Sequence, residues 1–436
     1  MRSEAYDPAV ELLQRDALEK LQLQRLQTTV GQALKTPFYR ERLGSVGISD
    51  AREIQTLEDL EKIPFTTKDD LRSAFPYGML ALEKEEVVRL HASSGTTGIP
   101  TVIYHSAEDI AAWTSLSARS IVCTGANKSD VFQNMMTYGL FTGGLGLHYG
   151  AEKAGLLVIP ASSGNTKRQF KLMKDFGSTV VHATPSYMLH LAAHMEKEGI
   201  NRSDLKLEKA LVGAEPHSED IRRKIEELFQ IDVYNSYGLS EMNGPGVAFE
   251  CEEKQGMHVW EDAYILEVVD RHSLRSVPDG ETGELVFTTL LRNATPLLRY
   301  RTRDISSVYP EACACGRLHR RIRRITGRTD DMLIINGVNV FPSQIEEVIM
   351  AMPEIGTNYQ ILVQKAGALD KITVRTEVGK EIFTDDTRDL KALSDKIREN
   401  LKVSISISPA VELHEPGFLP VAEGKAVRVI DERPKL

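Results

Sequence analysis

The residues best suited to chemistry stand in a few short stretches. The first is S-S-G-T-T-G at 93–98, where Ser93, Ser94, Gly95, Thr96, Thr97 and Gly98 follow an apolar, strand-like run at 87–90. Glycines let a backbone approach a ligand closely, and successive N–H groups and hydroxyls can wrap phosphate oxygens. The spacing is not that of a Walker loop, because the glycines are three positions apart and Ile99 stands where a lysine is expected. A mobile turn is the bland alternative.

A second stretch, Y-G-L-S-E at 237–241, carries an aromatic ring, a hydroxyl and a carboxylate within five residues. Tyr237 can stack on a base, while Ser240 and Glu241 can meet a phosphate and its Mg²⁺. In Y-R-T-R-D at 300–304, Asp304 can accept both hydroxyls of a ribose, and Arg328 can hold the sugar or a phosphate from the other side. The alternatives are a tyrosine-rich turn and a set of solvated ion pairs. Cys251 and His258, seven apart, join the Cys313-x-Cys315 pair to give the Cys₃His count of a structural zinc site, against three incidental thiols and a histidine.

Helices and strands must position these groups. Apolar periodicity predicts a helix over 8–45, a strand at 101–104 and a helix from Ala107 to about Val122. Four glycines then interleave with Tyr138, Leu140 and Phe141 over 135–146, which reads either as an apolar ligand slot or as a glycine-rich packing loop. A buried strand at 155–161, a helix at 166–176, a strand at 179–183 and a strand at 207–213 continue the βα alternation. The last of these ends in G-A-E-P at 213–216, and ligands of open α/β sheets gather where such strands end. Ile221, Ile225, Leu228 and Phe229 mark an amphipathic helix, and a short strand at Val233 leads into the 237–241 loop. Antiparallel strands at 264–269 and 283–290 begin a small β unit at about 260–325. Beyond 331 come a helix marked by Ile345, Val348, Ile349 and Met352, strands at 359–364 and 371–378, a helix at 387–401, and a tail loop bearing Lys425.

Composition bounds the function. The chain has 436 residues, 42% apolar and 26% charged, which suits two or three globular domains. A formal net charge of −9 argues against a nucleic-acid or anionic-membrane surface. No apolar run nears the ~18 residues of a membrane span, and the first residues lack a signal core, so the expected address is the cytoplasm. Four cysteines do not make a disulfide framework.

Taken together, the stretches at 93–98, 237–241, 300–304 and 327–343 and the terminal Gly424-Lys425 occur in an order that resembles the adenylate-forming (acyl-CoA synthetase) superfamily. The G-V-N-V-F-P-S form at 337–343 and the 138–146 loop look like its aryl-acetate branch. Relatives usually carry lysine where this chain has Ile99. The resemblance implies an α/β fold: a large multi-sheet N-terminal domain of the adenylate-forming type (1–329), and a small mobile α+β C-terminal domain (330–436) hinged at Asp330. It implies activation of an aryl-acetic, phenylacetate-like acid by ATP as acyl adenylate, then transfer to coenzyme A with release of AMP and pyrophosphate. Lys425, Glu241 and Ser240 are then catalytic, with Mg²⁺ on Glu241. Ser93, Ser94, Gly95, Thr96, Thr97, Gly98, Gly213, Ala214, Glu215, Pro216, Tyr237, Asp304 and Arg328 hold the nucleotide. Tyr138, Phe141, Gly143 and Ala214 shape the aryl pocket. Cys251, His258, Cys313 and Cys315 would hold structural zinc. Expected partners are the small acid, ATP, CoA and a second copy of the chain, with neither nucleic acid nor membrane. An enzyme loading a carrier protein, a nucleotide hydrolase or kinase, and a non-catalytic nucleotide sensor are the alternatives.

Overall fold

The computed structural model describes residues 5–93, 100–140, 142–336, 338–366, 369–379, 387–420 and 427–433. Two compact units divide the chain: Met1–Ala183 with Leu205–Ala214 and Tyr234–Arg324, and Thr184–Asp204 with Glu215–Val233 and Ile325–Leu436.

An eight-stranded sheet organises the first unit. Its spatial order is Arg321–Ile322, Met257–Val259, Gly244–Glu250, Asp232–Leu239, Lys209–Gly213, Val180–Ala183, Val131–Asn134, Leu157–Ile159. The Val131–Asn134 end is parallel and the Gly244–Glu250 end antiparallel. Val180–Ala183 is buried throughout, as a central parallel strand must be. The strand expected at 155–161 is shorter and lies at the sheet edge, where Leu157 is 60% exposed. A meander follows, Tyr264–Val269 pairing with Gly283–Thr289 and that strand with Tyr300–Ser306.

The single helix expected over 8–45 is three: Pro8–Glu11, Arg15–Ala33 and Pro37–Gly44. Pro37 cannot continue a helix but suits the first position of a new one, and the Thr36 hydroxyl caps it by accepting from the Tyr39 N–H. Leu26, Val30, Tyr39 and Leu43 then pack with Leu290 and Leu298. The first short helix is pinned by charge: the fully buried Glu11 carboxylate accepts from Arg317 Nε at 2.7 Å. Arg119 lies 3.8 Å from Glu11 and donates to Asp262 at 2.6 Å.

The glycine-rich 135–146 stretch is not loop throughout, for Gly143–Lys153 is a helix. Glycine is a poor helix former, but here it permits close approach to the helix Ala107–Val122. A Cβ on Gly146 would stand 2.6 Å from the Trp113 ring, and one on Gly150 2.5 Å from Ser117 Cβ and 2.6 Å from its carbonyl carbon. Tyr237 likewise lies in the strand Asp232–Leu239 rather than in a loop.

In the second unit, the helices Pro185–Lys197 and Glu219–Phe229 are capped by the Thr184 and Ser218 hydroxyls. Ile355–Ala366 and Leu369–Val378 form an antiparallel pair, extended by the parallel strands Ala410–His414 and Val429–Asp431. The helices Pro342–Met350 and Thr387–Ile405 close its core through Ile345, Ile349, Ile397 and Leu401. Buried Glu346 accepts from the Ser218 N–H at 3.1 Å and from the Tyr359 hydroxyl, and burial raises its pKa.

The close helix crossing makes a testable demand. Gly150→Ala forces a methyl into backbone atoms of the neighbouring helix, which costs about 1–3 kcal/mol by overpacking. A lowered urea midpoint at unchanged m-value is the expected result.

Candidate active site

Ser93 ends one strand and Thr101 opens its antiparallel partner, in register with it. Their hydroxyls are hydrogen-bonded to each other. Ser94, Gly95, Thr96, Thr97, Gly98, Phe141 and Lys425 lie outside the described residues.

From Thr101 polar contacts run to Glu241, a buried carboxylate in the short turn Ser240–Met242 between Asp232–Leu239 and Gly244–Glu250. Thr101 Oγ1 donates to Glu241 Oε1 at 3.5 Å, and the Lys68 ammonium stands 3.4 Å from the same oxygen. Ser240 Oγ meets Thr142 Oγ1 at 3.2 Å. Gly244 has φ +81, and a Cβ there would stand 2.4 Å from Thr142 Cβ, so this turn requires glycine.

Arg292 holds the turn from behind. Fully enclosed, it donates to the Glu241 carbonyl and to Asn243 Oδ1. Burial pulls its pKa down, opposed by Tyr264, Asp109 and Glu241. Its loop is fixed by Asp109, which accepts from the N–H groups of Asn293 at 2.6 Å and Ala294 at 3.0 Å. Close by, His91, His105 and Trp113 form a buried cluster with ring centroids 5.6–5.9 Å apart. Burial, with Arg292 adding to it, pushes the His105 pKa down to about 2 and keeps the ring neutral.

The structure brings Tyr237 and Asp304 together: the Tyr237 hydroxyl donates to Asp304 Oδ2 at 2.6 Å. The Tyr237 ring stacks on Phe287 at 6.2 Å. Gly213 ends its strand where a Cβ would lie 2.4 Å from the Ser236 carbonyl oxygen, and Ala214 follows exposed at φ +69. In the second unit Glu215 accepts from the Ser186 N–H at 2.6 Å, and Pro216 is exposed. Also there, Arg328 donates twice to Asp330, at 2.9 and 3.0 Å. Two residues given separate roles from the sequence thus form one ion pair.

Tyr138 is half-buried, its hydroxyl 3.1 Å from His148 Nδ1, and burial pushes its pKa up to about 12. Gly143 opens the helix that follows, with Met136 Cε 3.4 Å from where its Cβ would be.

Cys251, His258, Cys313 and Cys315 converge, their ligand atoms all within 4.8 Å of one another and all four residues buried. Cys251 Sγ lies 3.7 Å from Cys313 Sγ, and Cys315 Sγ 3.4 Å from His258 Nε2. A tetrahedral zinc with Zn–S bonds of about 2.3 Å sets its sulfurs about 3.8 Å apart, so the donor set fits that ion. His258 Nδ1 is 3.2 Å from the His319 carbonyl, which leaves Nε2 to face the thiols. Hydrogen bonding with Cys251, Cys313 and His258 lowers the Cys315 pKa, while hydrogen bonding with Cys313 and Cys315 raises that of Cys251.

Lys68, Thr101, Thr142 and Arg292 escaped the sequence reading. Only Thr101 carried a signal, by standing at the far end of the hydroxyl–glycine stretch.

The AMP-binding enzyme family matches residues 21–290, and the AMP-binding enzyme C-terminal domain matches 337–433. A phenylacetate-coenzyme A ligase of Thermus thermophilus is 45% identical, covering 98% of this chain and 99% of its own length. The phenylacetate-coenzyme A ligase of Escherichia coli is 43% identical over 98% and 97%. Among solved structures, 2-hydroxyisobutyryl-CoA ligase in the postadenylation state with R3-HIB-AMP superposes with TM-score 0.91 at 27% identity, covering 98% of this chain and 92% of that chain. In the thioesterification state with 2-HIB-AMP and CoA the TM-score is 0.72, at 28% identity and the same coverage.

Because each partner left unsatisfied costs about 1–3 kcal/mol, Arg292→Met should lower the unfolding free energy by at least ~2 kcal/mol. Chemical denaturation reads the loss; a variant as stable as wild type contradicts the account of the turn.

Proposed function

The chain belongs to the AMP-binding enzymes, in the phenylacetate–coenzyme A ligase family, and from that premise we propose how its residues share out the reaction. It is an acid–thiol ligase: ATP activates a carboxylic acid as acyl adenylate, and CoA takes the acyl group, releasing AMP. The observation that carries the residue assignment is the 2.6 Å bond from Tyr237 to Asp304, in the strand that runs on into Ser240 and Glu241. Tyr237 faces adenine alongside 213–216, and Asp304, with Arg328, holds the ribose. The 93–98 stretch and Ser240 hold phosphate oxygens, and Lys425 reaches the α-phosphate.

The first step is attack of the acid's carboxylate oxygen on the α-phosphorus, which breaks the bond to the pyrophosphate oxygen. Both oxygens are anionic, so the residues contribute positioning and charge neutralisation rather than a covalent intermediate. In the second step the CoA sulfur attacks the acyl carbon, the bond from that carbon to the phosphate oxygen breaks, and AMP departs while the thiol proton passes to solvent. Glu241 fits Mg²⁺, since its buried carboxylate already meets a cation, and the ion would neutralise phosphate charge there. Tyr138 and Phe141, with Gly143 and Ala214 leaving room, form the aryl pocket. The four residues at 251–315 hold structural zinc. The domain boundary falls at 329–330 with Asp330 as hinge, so that the small domain presents Lys425 for adenylation and turns away for thioester formation. Solved states of 2-hydroxyisobutyryl-CoA ligase, one postadenylation and one for thioesterification, support such alternation. A cytoplasmic homodimer completes the reading; among the described residues no helix is long and apolar enough to cross a membrane.

Pyrophosphate release should require an acid, and phenylacetate should outrank acetate by about ten- to hundredfold, the worth of burying a ring. Faster turnover of acetate would falsify the pocket assignment. Lys425→Ala should slow adenylation by on the order of 10²–10³-fold yet leave thioester formation from supplied acyl adenylate nearly intact. Asp330→Pro, fixing one backbone angle, should do the reverse; equal losses in both half-reactions would end the division of labour. Elemental analysis should find about one zinc per chain, reduced by Cys313→Ser, and less than about half an equivalent in wild type would count against the metal.

A further inference from the structure

We infer that Lys68 contacts the β- and γ-phosphates of ATP, supplying from a separate helix the cation that the hydroxyl–glycine stretch lacks at Ile99. The inference rests on the nucleotide site proposed above and adds a residue to it.

A triphosphate is strongly anionic, and its binding is chiefly a matter of placing positive charge against the oxygens. Ile99 brings none. Among the described residues two cations reach Glu241. One, Arg292, is enclosed and committed to the Glu241 carbonyl and Asn243. The other is Lys68, whose ammonium lies 3.4 Å from Glu241 Oε1 with its side chain 34% exposed against 7% for the carboxylate. This pair therefore joins a buried carboxylate to a partly exposed lysine side chain. The same carboxylate oxygen accepts from Thr101, which is tied to Ser93 at the start of the stretch. Lys68 is thus held beside the stretch's two anchors.

Its backbone is also fixed. Lys68 is the first residue of the helix Lys68–Ser73, whose Thr67 cap and Asp70 close a reciprocal capping box. Only the four-carbon stem is left to move. With a divalent cation on Glu241, like-charge repulsion drives the ammonium off that oxygen, and the triphosphate beside it is the anion that takes it up.

Calorimetric titration of the full chain with α,β-methylene-ATP and Mg²⁺, and separately with AMP, tests the assignment. AMP lacks the β- and γ-phosphates. Lys68→Ala should weaken the ATP analogue roughly 10- to 100-fold, the size of a lost charged hydrogen bond, and leave AMP within about twofold of wild type. Lys68→Arg, which keeps the charge, should recover most of the loss. Equal weakening of both ligands would make Lys68 a structural prop for Glu241, and an unchanged analogue affinity would make it a solvated lysine; either overturns the inference. Wild-type protein that binds neither nucleotide would instead remove the nucleotide site itself, and the inference with it.

Discussion

One buried cation sets the geometry on which the candidate site depends. The turn at 240–243 has its carbonyl and amide oxygens facing inward, and they are satisfied because Arg292 donates to both. A guanidinium so enclosed is costly unless its donors are used and its surroundings are fixed. Fixing comes from Asp109, which completes the capping box of the helix Ala107–Val122 and also holds the backbone after Arg292. The cap of one helix, the loop after a distant strand and the turn bearing Ser240 and Glu241 are thereby one rigid assembly. Replacing any member leaves polar groups buried without partners, a loss larger than a typical surface ion pair supplies.

The two carboxylates proposed for the site, Glu241 and Asp304, sit in contrasting surroundings. Glu241 meets a hydroxyl and an ammonium at one oxygen and so stands ready to trade cations. Asp304 accepts from the Tyr237 phenol, a neutral donor that cannot be traded away without unstacking its ring from Phe287. The first arrangement suits a site that must release and rebind charge, the second one that must present a fixed edge.

Where local signals were complete, the sequence was legible almost to the residue. The helices Ala107–Val122 and Thr166–Phe176 carry their own stops, a Ser106–Asp109 capping box in one and an Asn165 cap with a left-handed Gly177 in the other. The Cys₃His convergence was legible as a count, though only folding could bring 251–258 beside 313–315. The helix Gly143–Lys153 was not legible, because its glycines answer to the neighbouring helix rather than to helix propensity. Nor was Lys68 or Arg292: each acts through a partner remote in sequence, and a lone Lys or Arg resembles every solvated one.

The anchoring of the first turn bears on how the molecule is made. Glu11 and Arg317 are 306 positions apart, and both are wholly buried in their pairing. A ribosome delivers Glu11 first, then Arg119, whose guanidinium lies 3.8 Å from it, and only much later Arg317, which donates at 2.7 Å. Closing so long a loop is entropically costly and slow. The charge network around Glu11 therefore closes in two stages, a partial pairing with Arg119 and a complete one only once the segment bearing Arg317 has been made.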